Sequence, residues 1–390
     1  MPILLLLLLL LLTACGGDLP QGEWTIDTLE TGRVVTTNPA EPTPVEGAPV
    51  ALEHLFRIGT AAGPDETNFG AIAGVVADAR GQIHIADRQA NVLRTFSAEG
   101  EYIRTVGGPG DGPGEFSSLN GLRITSDTLV LIDQEGGRYT LMDPDGELLG
   151  TARRELGYFS WLFDGNVVGD RVREIGIVFS DGESRAALLD VSLDGSGATD
   201  TLQIPSSHHP TTPAFSVRSE VGGMSIAVPH APRPIRHVAP DGTLWLGHGA
   251  DLHLFRTLEG DTLREIRGSV ERAPVSREEI DEWRAGSSVE RFLEMGGDLD
   301  MDRIPAEKPA ADRIYHDPDD YLWVAFPGGE RETRLAVFDP DGRFVALHPL
   351  PGVVMPFAVP IFVRDDRLYL VARDDFDVEG VEVFRISRPE

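Results

Sequence analysis

Residues 74–121 read GVVADARGQIHIADRQANVLRTFSAEGEYIRTVGGPGDGPGEFSSLNG. The stretch holds four short β-rich apolar runs, at 74–77, 83–86, 92–96 and 102–106. Asp78-Ala79-Arg80-Gly81, Asp87-Arg88-Gln89 and Ala98-Glu99-Gly100 separate them as turns. Short strands punctuated by Gly and Asp read as a meander of antiparallel hairpins. The pattern then restarts at 122–124, 129–132, 139–142 and 147–149, with Gly146 standing 46 residues after Gly100. A four-stranded unit recurring at roughly 40–50 residues is the signature of a β-propeller blade.

Counting turns sets the blade number. Inner-hairpin turns are expected at Asp78–Gly81, Ser126-Asp127, Asp164-Gly165, Asp241-Gly242, Asp317–Asp320 and Asp365-Asp366. Outer-hairpin glycines fall at Gly100, Gly146, Gly195, Gly260 and Gly342, and a sixth is missing where the sequence stops. This is the count for six blades with a shared closure. Residues 52–58 would supply the outer strand of the last blade, beside strands at 359–363, 368–372 and 381–386. A ring closed in this way leaves no open sheet edge between its ends.

The spacing stretches twice. Residues 205–234 carry six prolines and the His208-His209 pair, and read as an ordered loop without helix. Residues 269–309 carry two capping-box patterns, Ser276 with Glu279 and Ser287 with Glu290, ahead of Ile280, Trp283, Val289, Phe292 and Leu293 at helical spacing. This small helical insertion falls between blades four and five. As a lid over the channel mouth, it would pack Trp283 and Phe292 near Arg88 and Arg138.

Composition narrows the partners. The 63 acidic residues against 34 basic ones, net −29, exclude nucleic acid, because phosphate binding depends on Lys and Arg. Residues 3–12 are an unbroken apolar run, too short to span a bilayer and of the length of a signal peptide's core. It ends in Leu12-Thr13-Ala14-Cys15, which resembles the lipobox of bacterial lipoproteins. That resemblance implies a signal peptide over 1–14, a lipid on Cys15 and attachment at the cell envelope, at the outer membrane or periplasmic face. Cys15 is the single cysteine, so a lipidated chain keeps no thiol for catalysis, disulfides or metal. Residues 15–50 read as a tether, with a short hairpin possible between 24–29 and 33–36. The propeller then occupies 51–390.

The stretch AEGEYIRTVGGPGDGPGEF, residues 98–116, resembles NHL-type repeats, in which an outer strand ends in Gly ahead of G-x-G-P-G-E-F. With the lipobox, the whole pattern is similar to lipid-anchored or secreted bacterial six-bladed β-propellers of the NHL/TolB-like superfamily. The likeness implies architecture over residues 52–387, whereas activity has to come from the site.

Catalytic signatures are sparse. Gly223-Met224-Ser225-Ile226-Ala227 misses the last position of a nucleophile elbow. Asp143-Pro144-Asp145-Gly146 and Asp339-Pro340-Asp341-Gly342 resemble the start of calcium loops but lack further ligands, and read as turns. No catalytic residue, metal ligand or cofactor is assigned. One constellation remains. Counted back from the inner turns, Val76, Arg123, His237, Tyr315 and Phe362 are equivalent, with Trp161 nearby in blade three. Equivalent positions in a ring point the same way, which puts Arg123, His237 and Tyr315 on the channel. Arg88, Asn91 and Arg138 follow second strands and are expected around the same mouth. Such a cluster suits a small anionic or sugar-like ligand, unless it serves strand ends and gaps between blades.

The expected function is therefore a monomeric, lipid-anchored platform for a ligand or an envelope protein. The alternative is a hydrolase or lyase of the lactonase or strictosidine-synthase type. Resemblance to those folds implies a channel calcium or zinc, for which His237, His316, Asp317 and Asn120 are a poor match.

Overall fold

The computed structural model describes residues 23–43, 50–154, 158–180, 183–196, 199–204, 212–219, 222–353, 355 and 361–388. Cys15 and the His208-His209 pair lie outside them.

Six four-stranded antiparallel units follow one another around a ring. In blade 1 the inner strand Ile72–Ala77 and the second strand Ile83–Asp87 are buried along their whole length. The outer strand Tyr102–Gly107 alternates with solvent. This gradient follows from position, since inner strands are covered by neighbouring blades on both faces and outer ones by one or none. Apolar clusters accordingly sit between blades. Ile85 and Val371 join blades 1 and 6, Leu93 and Leu122 join 1 and 2, and Val324 and Trp245 join 5 and 4.

The repeated aspartates have a common task. At the hairpin turns the carboxylate of Asp78 accepts the amides of Arg80 and Gln82 at 2.9 and 2.8 Å. Asp317 does the same for Asp319 and Tyr321, and Asp339 for Asp341 and Arg343. Each is a side-chain clamp on its own turn. The Asp-Pro-Asp-Gly segments are turns of this kind. In blade 3, however, the inner turn is at Gly169, φ +64°, and not at Asp164-Gly165. The register between Tyr158–Val168 and Arg171–Ser180 breaks between Trp161 and Asn166, leaving Gly165 inside a bulge. A Cβ there would come 2.6 Å from the Arg173 carbonyl oxygen, so glycine is required for steric reasons.

The ring closes as the sequence indicates. Ala51–Ile58 pairs antiparallel with Glu379–Ser387, Ile58 opposite Val381 and Leu52 opposite Ile386. Ile58 is buried, while Leu52, Leu55 and Phe56 are half-buried, as befits an outer strand.

The segment before it differs from the expected tether. Thr25–Thr28 and Val34–Thr37 form the hairpin, and Val34–Thr37 adds in parallel to the outer strand Asp261–Gly268, giving blade 4 six strands. Arg33 reaches the buried Glu265 at 2.9 Å. Thr36 donates to the Asp341 carbonyl at 2.7 Å, and Asn38 Oδ1 accepts the Phe344 amide at 2.7 Å. Residues 23–43 thus clasp blades 4 and 5. Val34-Val35-Thr36-Thr37 is a β-branched run that satisfies an otherwise open edge.

The two insertions fold against each other. In place of a plain loop, Ala214–Ser219 pairs with Gly222–Ala227 as a hairpin. It meets α1 (Arg277–Arg284) and α2 (Ser287–Glu294) around Phe215, Ile226, Val289 and Phe292, with Trp283 6.1 Å from Phe215. Ser276 and Glu279 complete the capping box of α1. The expected second box does not form, because Gly286 is the N-cap of α2 and Ser287 is already helical. Trp283 and Phe292 therefore pack on the hairpin, away from Arg88 and Arg138. Apolar surface from two successive interblade connections is buried in one cap.

Candidate functional site

A cavity of about 470 Å³ runs into the channel from the face that carries the inner turns. Val76, Arg123, His237, Tyr315 and Phe362 all line it, so the equivalence read from the repeat brings these residues together. Blade 3 contributes Val167 at this level. Trp161 lies in the inner strand, and its side chain is outside the described set.

Arg88, Asn91 and Arg138 are not at this mouth. Inner strands run toward the inner turns and second strands run back, so residues after second strands emerge on the opposite face. There Asn91 and Arg138 each hold a neighbouring segment. Asn91, φ +54°, accepts the Leu119 amide at 2.8 Å and ties blade 1 to blade 2. Arg138 pairs with buried Asp133 at 3.2 Å and donates to the Asp111 and Glu115 carbonyls, holding the 108–116 loop. Arg94 with Asp87, at 3.3 Å, repeats the same ion pair in blade 1. Arg88 reaches Asn120 Oδ1 at 3.5 Å from an exposed position.

Within the cavity the polar groups differ in how fully they are used. Arg123 donates through Nε to the Gly165 carbonyl at 3.0 Å and through Nη1 to that of Leu122 at 2.9 Å. It therefore joins blade 2 to the blade 3 bulge while facing the channel. Tyr315 accepts the Val363 amide at 3.4 Å, and burial raises its pKa, so the hydroxyl keeps its proton. His237 is 2% exposed, and its Nε2 has no hydrogen-bond partner. Burial, with His316 and Arg123 nearby, lowers its pKa to about 3, which leaves a neutral imidazole. Its ring centroid is 5.1 Å from that of Tyr315.

At the rim, Arg364 donates to the Ala77 carbonyl at 3.0 Å and lies 3.4 Å from Asp127. Asp319 pairs with Arg388 at 2.6 Å. Sequence reasoning missed Arg364 and Asp319, although both sit at inner turns that were counted. Their positions at turns were the available signal.

Of the four candidate metal donors, His237 has its Nε2 open, and the other three face other groups. Asp317 accepts Trp323 Nε1 at 2.8 Å and Arg388 at 2.6 Å in addition to its own turn amides. His316 faces Asp320 at 3.3 Å, and Asn120 bonds to Gln134. Among the described residues, no three His, Cys, Asp or Glu side chains come together in a way that could hold an ion. Ser225 lies on the insertion hairpin, 2.8 Å from Ser216, and not on a strand-to-helix elbow.

A family model described as a 6-bladed beta-propeller, DUF5128, matches residues 63–153. Those residues span blades 1 and 2, where the repeat is most regular. The chain is a six-bladed β-propeller. A member of the duf4221 family from Bacteroides vulgatus superposes with a TM-score of 0.50 at 11% identity, covering 87% of this chain and 99% of that one. Virginiamycin B lyase from Staphylococcus aureus gives 0.43 at 11% identity over 86% and 99%. Regucalcin from Agrobacterium tumefaciens, a calcium-binding protein, gives 0.43 at 16% identity over 90% and 97%. At such identities the likeness concerns the propeller fold alone. No curated protein matches this chain.

Proposed function

We propose that this chain is an envelope propeller of the NHL/TolB-like type, lipid-anchored through Cys15, which holds a small ligand in the inner-turn cavity. The observation that carries the reading is His237, which lines the cavity and is buried with Nε2 unpartnered, whereas other such buried atoms, Trp245 Nε1 and His348 Nε2 among them, do not line it. A buried polar atom left unmade costs about 1–3 kcal/mol, which a bound ligand or an ordered water would offset. The volume, about 470 Å³, falls within the roughly 300–1,000 Å³ typical of ligand pockets. The membrane would be reached through acyl chains on Cys15, several of which anchor firmly where one does not. The propeller would act as a monomer and without nucleic acid. The hydrolase or lyase alternative routes its chemistry through a channel metal, and the donor set described above does not fit one.

Two measurements test this. Native mass spectrometry of the full chain in mild detergent should detect a small molecule on wild type that His237→Phe loses. A wild-type chain that retains nothing, and whose melting is unmoved by a metabolite library, would count against ligand binding. Cys15→Ser should abolish incorporation of labelled palmitate and release the protein from membranes. Unchanged labelling would remove the anchor from the reading.

A further inference from the structure

The lining of the cavity is divided. Val75, Val76, Ile361 and Phe362, from blades 1 and 6, make one wall apolar. Arg123, His237 and Tyr315, from blades 2, 4 and 5, supply the cavity's polar groups, with Tyr315 beside blade 6, whose Val363 amide its hydroxyl accepts. Its charges balance, Arg123 and Arg364 against Asp319 and Asp365.

We propose that the cavity takes a neutral, polyhydroxylated ring, a monosaccharide unit or its glycoside, with its C–H face on Phe362 and its hydroxyls on His237 and Tyr315. The proposal rests on the small-ligand reading above and specifies its chemistry. Three observations favour a neutral ligand over an anion. First, Arg123 engages Nε and Nη1 with the Gly165 and Leu122 carbonyls, and Arg364 donates to the Ala77 carbonyl and pairs with Asp127, so part of their donor capacity is tied into the fold. Second, the protein carries a net charge of −29, and its field opposes an approaching anion. Third, the deepest polar groups are both uncharged. His237 Nε2 lacks a partner, and Tyr315, whose oxygen accepts from Val363, still has its own proton to donate. A neutral acceptor or donor next to a phenol suits hydroxyl groups, each of which can give and receive a bond. Apolar side chains lining the same cavity suit a ring that offers C–H surface as well as hydroxyls. A carboxylate there would lose its hydration and meet a guanidinium whose donors are already partly engaged.

The experiment uses the full chain in mild detergent and a panel of methyl glycosides of common hexoses, pentoses and N-acetylhexosamines, with the corresponding uronates. Binding is read by saturation-transfer NMR and titration calorimetry. At least one neutral glycoside should bind, with its uronate at least about tenfold weaker at low salt and the gap narrowing as salt screens the field. Tyr315→Phe, which removes a single oxygen, and His237→Phe should each weaken that glycoside about tenfold, with circular dichroism confirming the fold. Tighter binding of a uronate, lost in Tyr315→Phe, would overturn the neutral class and leave a ligand-binding cavity. Binding indifferent to both substitutions would place the sugar elsewhere and overturn the proposal. If no member of the panel binds while another metabolite does, the sugar class falls alone. If nothing binds at all, the cavity reading falls with it.

Discussion

Arg123 carries two roles that the sequence could not separate. Its guanidinium faces the channel, yet Nε holds the Gly165 carbonyl and Nη1 the Leu122 carbonyl. Truncation would leave the Gly165 acceptor buried without its partner, at a cost of about 1–3 kcal/mol. Arg123→Ala should therefore lower the melting temperature by several degrees in calorimetry even without ligand. Arg123→Lys should recover only part of this, because an ammonium lacks the planar fork. A melting temperature unchanged in Arg123→Ala would show that Arg123 matters to the ligand alone. His237 differs, since nothing in the fold uses its Nε2. Asn91 and Arg138 differ in the other direction, each bonding to the chain segment that it holds.

At the scale of elements, the N-terminal segment is where stability can be tested most directly. Residues read as a tether instead complete blade 4 and bond to blade 5, through Val34–Thr37, Thr36 and Asn38. Removing residues through 49 should uncover the Asp261–Gly268 edge and lower the melting temperature while keeping the protein soluble. Removing residues through 59 should also take away Ala51–Ile58, the fourth strand of blade 6, and cause aggregation through an unpaired edge. Equal melting temperatures for the full chain and the first truncation would mean that the clasp contributes nothing. The cap follows the same logic. Its two halves are far apart in sequence, and each covers apolar surface that the other would expose.

For the whole molecule, protonation is the most general lever. Burial lowers the pKa of His84 to about 4, of His237 to about 3 and of His316 to about 4. In the unfolded chain these histidines titrate near 6.5, so between about pH 6.5 and 4 the unfolded state binds more protons. Stability should then be fully present above pH 6.5 and fall as the pH drops through that window. Each histidine adds a slope of up to about 1.4 kcal/mol per pH unit. Denaturant titrations at pH 7.5, 6 and 5 should show the decline, and His84→Gln should flatten it. A midpoint constant from pH 7.5 to 5 would contradict the buried, neutral state of all three.

The sequence by itself determined the blade. Its turns are local events, in which an aspartate binds amides two and four residues on and a glycine takes positive φ, so Asp78, Asp317, Gly100 and Gly342 could be read one by one. Their count and spacing then implied six blades and the closing strand, because a ring must pair its ends. Equivalent positions in such a ring share a direction, which is why Arg123, His237 and Tyr315 could be grouped. Only the tertiary structure decided the rest. Whether Arg138 faces a ligand or a loop depends on Asp133 and on carbonyls brought near by folding. The blade 3 bulge moved a turn by five residues through sterics at Gly165. The clasp and the cap join segments separated by about 50 to more than 200 residues. Such contacts depend on which edges and apolar faces remain uncovered once the blades have packed, a property of the assembled ring that no local stretch encodes.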